Sequence, residues 1–112
     1  MTITQEDIEM TNKEIRNWYE HQIEWYNKVI GWCNRNIEYL TRQLERNRKD
    51  DREMVEWVWS KGVVTEWEIK TYGSKYQSAE THKNLLARRR EYLERKKAYR
   101  KIAEYKRLLA EM

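Results

Sequence analysis

The sequence predicts an all-α fold: a long antiparallel helical hairpin or three-helix bundle, with a short helix at the turn and heptad-based packing. Three observations predict it. Proline is absent and glycine occurs three times in 112 residues, too few turn-formers for a β-sandwich or an α/β chain. Four consecutive blocks, NWYEHQI, EWYNKVI, GWCNRNI and EYLTRQL, repeat every seven residues from Asn17 to Leu44. The C-terminal part again spaces its apolar residues helically.

A first helix is expected to start at Thr4, which has Asp7 three residues later, an N-cap followed by an acidic first turn. Its seam runs Tyr19, Ile23, Tyr26, Ile30, Cys33, Ile37, Leu40 and Leu44, alternating four and three as coiled-coil positions do. A second row, Trp18, Trp25, Trp32 and Tyr39, accompanies it, with Ile15 and Val29 between the two. Together they form an apolar arc of roughly 160°, wider than one partner helix needs. His21, Lys28, Arg35 and Arg42 occupy the solvated side. The charged tract Glu45 to Arg52 ends the apolar pattern, so the first helix is placed at about 5–48.

A second, short helix is expected at about 51–61, capped by Asp50 or Asp51 and stopped by Gly62. Thr65 with Glu68 three residues on is a capping-box signature, so a third helix begins at Glu66. Val55, Trp57, Trp59, Val63 and Val64 also fit a strand or hairpin, but the cap favours helix–turn–helix. The third helix is read as 66–111, with a break or kink at Gly73 and Ser74. Within it, Leu85, Leu86, Tyr92 and Leu93 lie about 180° from Ala98, Ile102, Tyr105, Leu109 and Met112. One straight helix cannot turn both clusters toward one neighbour. Residues 1–112 are taken as a single domain.

Composition narrows the function. Charged residues make up 38% and aromatic residues 12%, with six Trp, eight Tyr and no Phe; mean hydropathy is -1.16. So many large aromatic rings argue against disorder. A lone cysteine, Cys33, excludes an internal disulfide framework. The polar, acidic N-terminus does not resemble a secretory signal, and no apolar run reaches membrane-span length. A cytoplasmic protein without membrane contact is expected.

No catalytic, cofactor-binding or metal-ligating set is visible. Cys33 lies on the seam and reads as a small buried hydrophobe. His21 is on the solvated side, and His82 has no carboxylate three residues before it, so di-iron Glu-x-x-His pairs are missing. Zinc-ligand spacings, Gly-rich phosphate loops and nucleophile elbows are missing too. No enzyme and no cofactor are expected.

Two interaction surfaces are candidates. Trp18, Trp25, Trp32 and Tyr39 form a partner interface if exposed, since Trp and Tyr dominate binding hot spots; packing in the core is the plainer reading. A homo-oligomer, with a dimer favoured, combines the two. The other candidate is Arg88, Arg89, Arg90, Tyr92, Arg95, Lys96, Lys97, Tyr99, Arg100 and Lys101, a patch for nucleic acid or an acidic protein. Residues 79–112 hold eleven Lys or Arg against five Glu, net +6. On the helix these cations surround the axis without forming one stripe, which argues against groove docking. The aromatic-rich Trp57–Trp67 turn also lacks the polar side chains of a DNA-reading helix.

The segment WSKGVVTEWEI, about a tenth of the chain, resembles the helix–Gly–cap–helix turn of small bacteriophage helical accessory proteins. The resemblance implies a phage origin. The expected function is a non-enzymatic, self-associating protein–protein interaction module, such as a phage assembly factor or an inhibitor of a host defence enzyme. The alternative is a nucleic-acid-binding accessory protein that uses the basic C-terminal helix.

Overall fold

The structure, a computed structural model, describes residues 3–73 and 75–112, with the side chains of all of these except Asp7, Glu9 and Met10. The Asp7 side chain expected in an acidic first turn, and Ser74 of the expected break, lie outside what the structure describes. The order of elements is α1 (Gln5–Ser60), α2 (Glu66–Thr71) and α3 (Ala79–Ala110). No strand occurs among the described residues. The two long helices pack against each other and α2 lies between them in sequence.

Helix α1 begins where Thr4 predicts: the Ile8 amide donates to the Thr4 carbonyl at 3.3 Å. It does not end at 48. It runs 56 residues, through the charged tract and through the segment assigned to a separate helix at 51–61. Glu45 to Arg52 contains no helix breaker, and Glu and Arg are good helix formers. The seam continues across it in polar form, because Asn47 and Asp51 occupy the inward positions and are buried. Asp51 caps no helix within α1. The helix stops at Gly62, whose φ of +84° is accessible to a residue without a Cβ.

Thr65 then caps α2 as read. Its hydroxyl accepts from the Glu68 amide at 3.1 Å, and the Glu68 carboxylate accepts from the Thr65 amide at 3.3 Å. The helix read as 66–111 with a break at Gly73 and Ser74 is two helices, parted around Gly73. α2 closes after one and a half turns, where the Tyr72 amide bonds to the Glu68 carbonyl. α3 starts afresh behind Ser78, whose hydroxyl accepts from the Thr81 amide at 3.3 Å. Seven residues, 72–78, separate them.

From Ala79 onward there is no break. The inward positions of α3 are Thr81, Asn84, Arg88, Glu91, Arg95, Ala98, Ile102, Tyr105 and Leu109, all buried or half-buried and spaced alternately three and four. The two apolar clusters that looked incompatible are therefore not two faces seeking burial. Leu86, Tyr92 and Leu93 are exposed, and polar residues hold their half of the seam.

The chain divides into two compact units, Met1–Arg35 with Tyr92–Met112, and Asn36–Glu91. The first has an apolar core of Ile30, Ala98 and Ile102, with Ile23, Tyr26 and Val29 packed on it; Cys33 is buried as expected. Tyr105 extends this core by ring contacts to Tyr19 and Tyr26, with centroids 5.7 and 6.2 Å away.

The second unit buries Ile37, Leu44 and Val58, then changes chemistry. Asn84 Nδ2 donates to Asn47 Oδ1 at 3.4 Å, and Arg88 Nη1 to Thr41 Oγ1 at 3.2 Å. The Thr81 hydroxyl donates to Asp51 Oδ2 at 2.7 Å, and the Ser78 amide donates to the same oxygen at 3.3 Å. Since the Thr81 proton is committed to Asp51, the Ser78 hydroxyl donates to Thr81 Oγ1 at 3.0 Å, an ordering forced by one proton per hydroxyl. The Asp51 carboxylate thus sits at the N-terminal, positive end of α3.

Two stability measurements check this account by urea unfolding. Leu44, at 1% exposure, is expected to cost about 2–5 kcal/mol when changed to Ala. Asp51→Ala strands the Ser78 amide and Thr81 hydroxyl and is expected to cost about 1–3 kcal/mol. The same change at exposed Asp50 should stay within about 0.5 kcal/mol. Equal effects at Asp50 and Asp51 would contradict the polar seam.

Candidate interaction surfaces

The tryptophan row follows a second heptad on α1, through Ile15, Trp18, Gln22, Trp25, Val29 and Trp32, rotated by about a quarter turn from the seam that meets α3. It is not core. Trp18, Trp25 and Trp32 remain 52%, 50% and 45% exposed, while Cys33, one residue further on, is 4% exposed. The rings are held in place. Trp25 and Trp32 meet edge-to-face at 5.4 Å and 82°. Trp18 stands edge-on to Tyr105 at 5.6 Å and 86°. Tyr39, which belongs to the second unit, is exposed as well. Along one flank of the row run Glu14, His21, Lys28 and Arg35, all exposed.

The basic tract separates into two populations. Arg88 and Arg95 are seam residues. Arg88 is held by Thr41, and Arg95 donates to Asn34 Oδ1 at 2.9 Å with its guanidinium 4.9 Å from the Tyr92 ring centroid. Arg89, Arg90, Lys96, Lys97 and Arg100 are exposed on the side of α3 turned from the seam. Lys101 lies at the seam's edge, 3.5 Å from Glu104. Tyr92 and Tyr99 are exposed beside the seam. The expectation that cations surround the axis is therefore corrected: with the seam identified, most share the outer side.

A third surface was not singled out from the sequence. Around the turn, Trp57, Val63, Trp67 and Ile69 are all about half-exposed or more. Trp59 is anchored there, its indole N–H donating to the Tyr72 carbonyl at 2.8 Å. Trp67, Tyr72 and Tyr76 form a chain of ring contacts. These residues lack a helical period, which is why pattern reading passed over them.

Two clefts of about 440 Å³ lie one in each unit. The cleft of the second unit is lined by Arg48, Asp51, Arg52, Val55, Tyr76 and Thr81 among others. Burial pushes the Tyr76 phenol up, helped by neighbouring Tyr72 and the Asp51 carboxylate. The cleft of the first unit lies between Tyr26 and Val29 on α1 and Lys97 and Lys101 on α3. Among the described residues there is no cluster of His, Cys, Asp and Glu able to hold a metal ion, and no helix long and apolar enough to cross a membrane. Cys33 is sequestered in the seam, and His21 is exposed, with Nδ1 2.7 Å from the Asn17 carbonyl. The chain matches no protein-family model, no curated protein and no solved structure.

The α2 cap supplies a titration. The Lys61 ammonium, 2.6 Å from Glu68 Oε2, and the Thr65 donors hold the Glu68 carboxyl below the usual glutamate range. A depressed folded value means the cap's contribution is complete above that range and is lost as pH falls through the lower folded value. By NMR, the Glu68 carboxyl carbon is expected to titrate below the usual range, and Lys61→Ala should move its midpoint up. A midpoint indifferent to Lys61 would remove that pair from the cap.

Proposed function

We propose that this chain is a non-enzymatic protein–protein interaction module that self-associates, with the tryptophan row of α1 as its interface. The observation that carries the reading is the pairing of heptad spacing with exposure. Rows at this spacing exist to meet another helix, and α3 covers the neighbouring row. Three half-exposed tryptophans present roughly 350–400 Å² of aromatic surface per copy, taking about 250 Å² for each whole side chain. That equals the largest apolar patch of a typical monomer. Two copies face to face bring roughly 750 Å² together before Ile15 and the flanking residues add theirs, approaching the size of a specific interface.

Charge selects the orientation. An antiparallel pair centred near Trp25 sets Glu14 of one copy against Arg35 of the other. A parallel pair would set that flank against Tyr19 and Tyr26, which α3 covers and which bear no counter-charge. The dimer in this reading is antiparallel, with a two-fold axis near Trp25.

Light scattering tests it. The native chain of 14.0 kDa is expected at twice that mass. Trp25→Glu combined with Trp32→Glu should yield a monomer with undiminished helical circular dichroism. Glu14→Arg should weaken the dimer, and adding Arg35→Glu should restore it. A native protein that stays monomeric at high micromolar concentration, or a dimer indifferent to the double Trp change, would sink the proposal.

A further inference from the structure

The outer side of α3 sorts its charges in a way the sequence alone does not reveal. Taking the buried positions as the seam, the outward positions of this helix within the first unit hold Lys96, Lys97, Arg100 and Arg107, all exposed. A single glutamate, Glu104, stands among them within the helix. The other acids of α3 lie elsewhere: Glu91 is in the seam, and Glu80 and Glu94 are on its edge, where Glu94 takes Lys97 at 3.4 Å. From Lys96 to Arg107, within the first unit, the row spans about 16 Å at 1.5 Å per residue.

We infer that this outer face of α3 binds nucleic acid through its phosphodiester backbone. Charge complementarity commits the occupant. The row is a linear series of cations, and a strand of phosphates is the linear polyanion whose condensed counterions such a series displaces. Tyr99, 55% exposed, sits one step beside the cations, where a base can stack on it. A protein partner fits less well. Interface cores are depleted of charge and rich in aromatic side chains, and no aromatic residue occupies an outward position of α3. A membrane surface fits less well too, since interfacial helices bury a broad apolar face, and here the apolar residues among the cations are Leu93 and small alanines. The inference is independent of the proposed dimer, which uses α1.

Fluorescence anisotropy of labelled oligonucleotides tests it, with a single strand and a duplex as separate arms. Binding to at least one is expected, its logarithm falling with log salt at a slope of about -3 to -4 for four contacts. Replacing Lys96, Arg100 and Arg107 together by Glu should weaken binding about tenfold or more at low salt and flatten the slope by about 3. The triple Ala variant, which adds no new charge, should show the same flattening. Unchanged helical circular dichroism confirms that either variant is folded. No binding of either oligonucleotide near 50 mM salt, unaltered binding by the folded variants, or equal affinity for polyglutamate or for vesicles containing phosphatidylserine would each overturn the inference.

Discussion

Two helices that lie side by side touch only at alternating third and fourth residues, and both long helices keep that spacing over most of their length. On α1 the inward line begins at Tyr19 and extends through Leu44 to Asn47, Asp51 and Val58. On α3 it extends from Thr81 to Leu109. What changes along the line is its chemistry. In one unit, isoleucine, alanine and tyrosine side chains exclude water. In the other, amide, hydroxyl and carboxylate groups share these positions with Ile37, Leu44 and Val58 and satisfy one another. Burying polar groups is tolerable only when they find partners, and among the described residues no buried side-chain nitrogen or oxygen lacks one.

That change of chemistry marks the boundary of what pattern reading recovered. The fold class, the Gly62 stop and the Thr65 cap were all readable, because each rests on a local preference: absence of breakers, a left-handed φ, a reciprocal cap. The continuity of α1 past residue 48 was not readable by hydrophobic period, since Asn47 and Asp51 hold inward positions without being apolar. The start of α3 was missed for a related reason. Ser78 caps it together with Asp51, 27 residues earlier in the chain, a contact no local window contains.

The candidate surfaces were half legible. The residues of the tryptophan row were identifiable from their spacing, but spacing alone cannot say which of two adjacent apolar rows receives the partner helix. α3 settles on the row of Ile30 and Cys33, where Ala98 brings no bulk, and leaves the indoles half open. The basic tract was visible as composition, yet its directionality depends on knowing that Arg88 and Arg95 turn inward. Removing those two from the count leaves most of the cations on the outer side, with Lys101 and Lys106 at the two edges of the seam.

The seven-residue blocks of α1 resemble one another closely enough that sliding a partner helix by one block, about 10.5 Å, would still set aliphatic against aromatic side chains. Apolar packing by itself therefore distinguishes poorly among several alignments. The hydrogen-bonded pairs Asn47 with Asn84 and Asp51 with Thr81 and Ser78 occur once each and match in one alignment, whereas the arginine pairs Thr41 with Arg88 and Asn34 with Arg95 repeat at one block. Displacement by a single block parts Asn47 from Asn84 and takes Asp51 away from the Ser78 amide and Thr81 hydroxyl at the start of α3, even where Arg95 would replace Arg88 at Thr41. Buried polar residues serve this purpose in coiled coils, trading strength for a unique register. The least hydrophobic stretch of the hairpin is thus its key, setting where along an otherwise repetitive rail the second helix comes to rest.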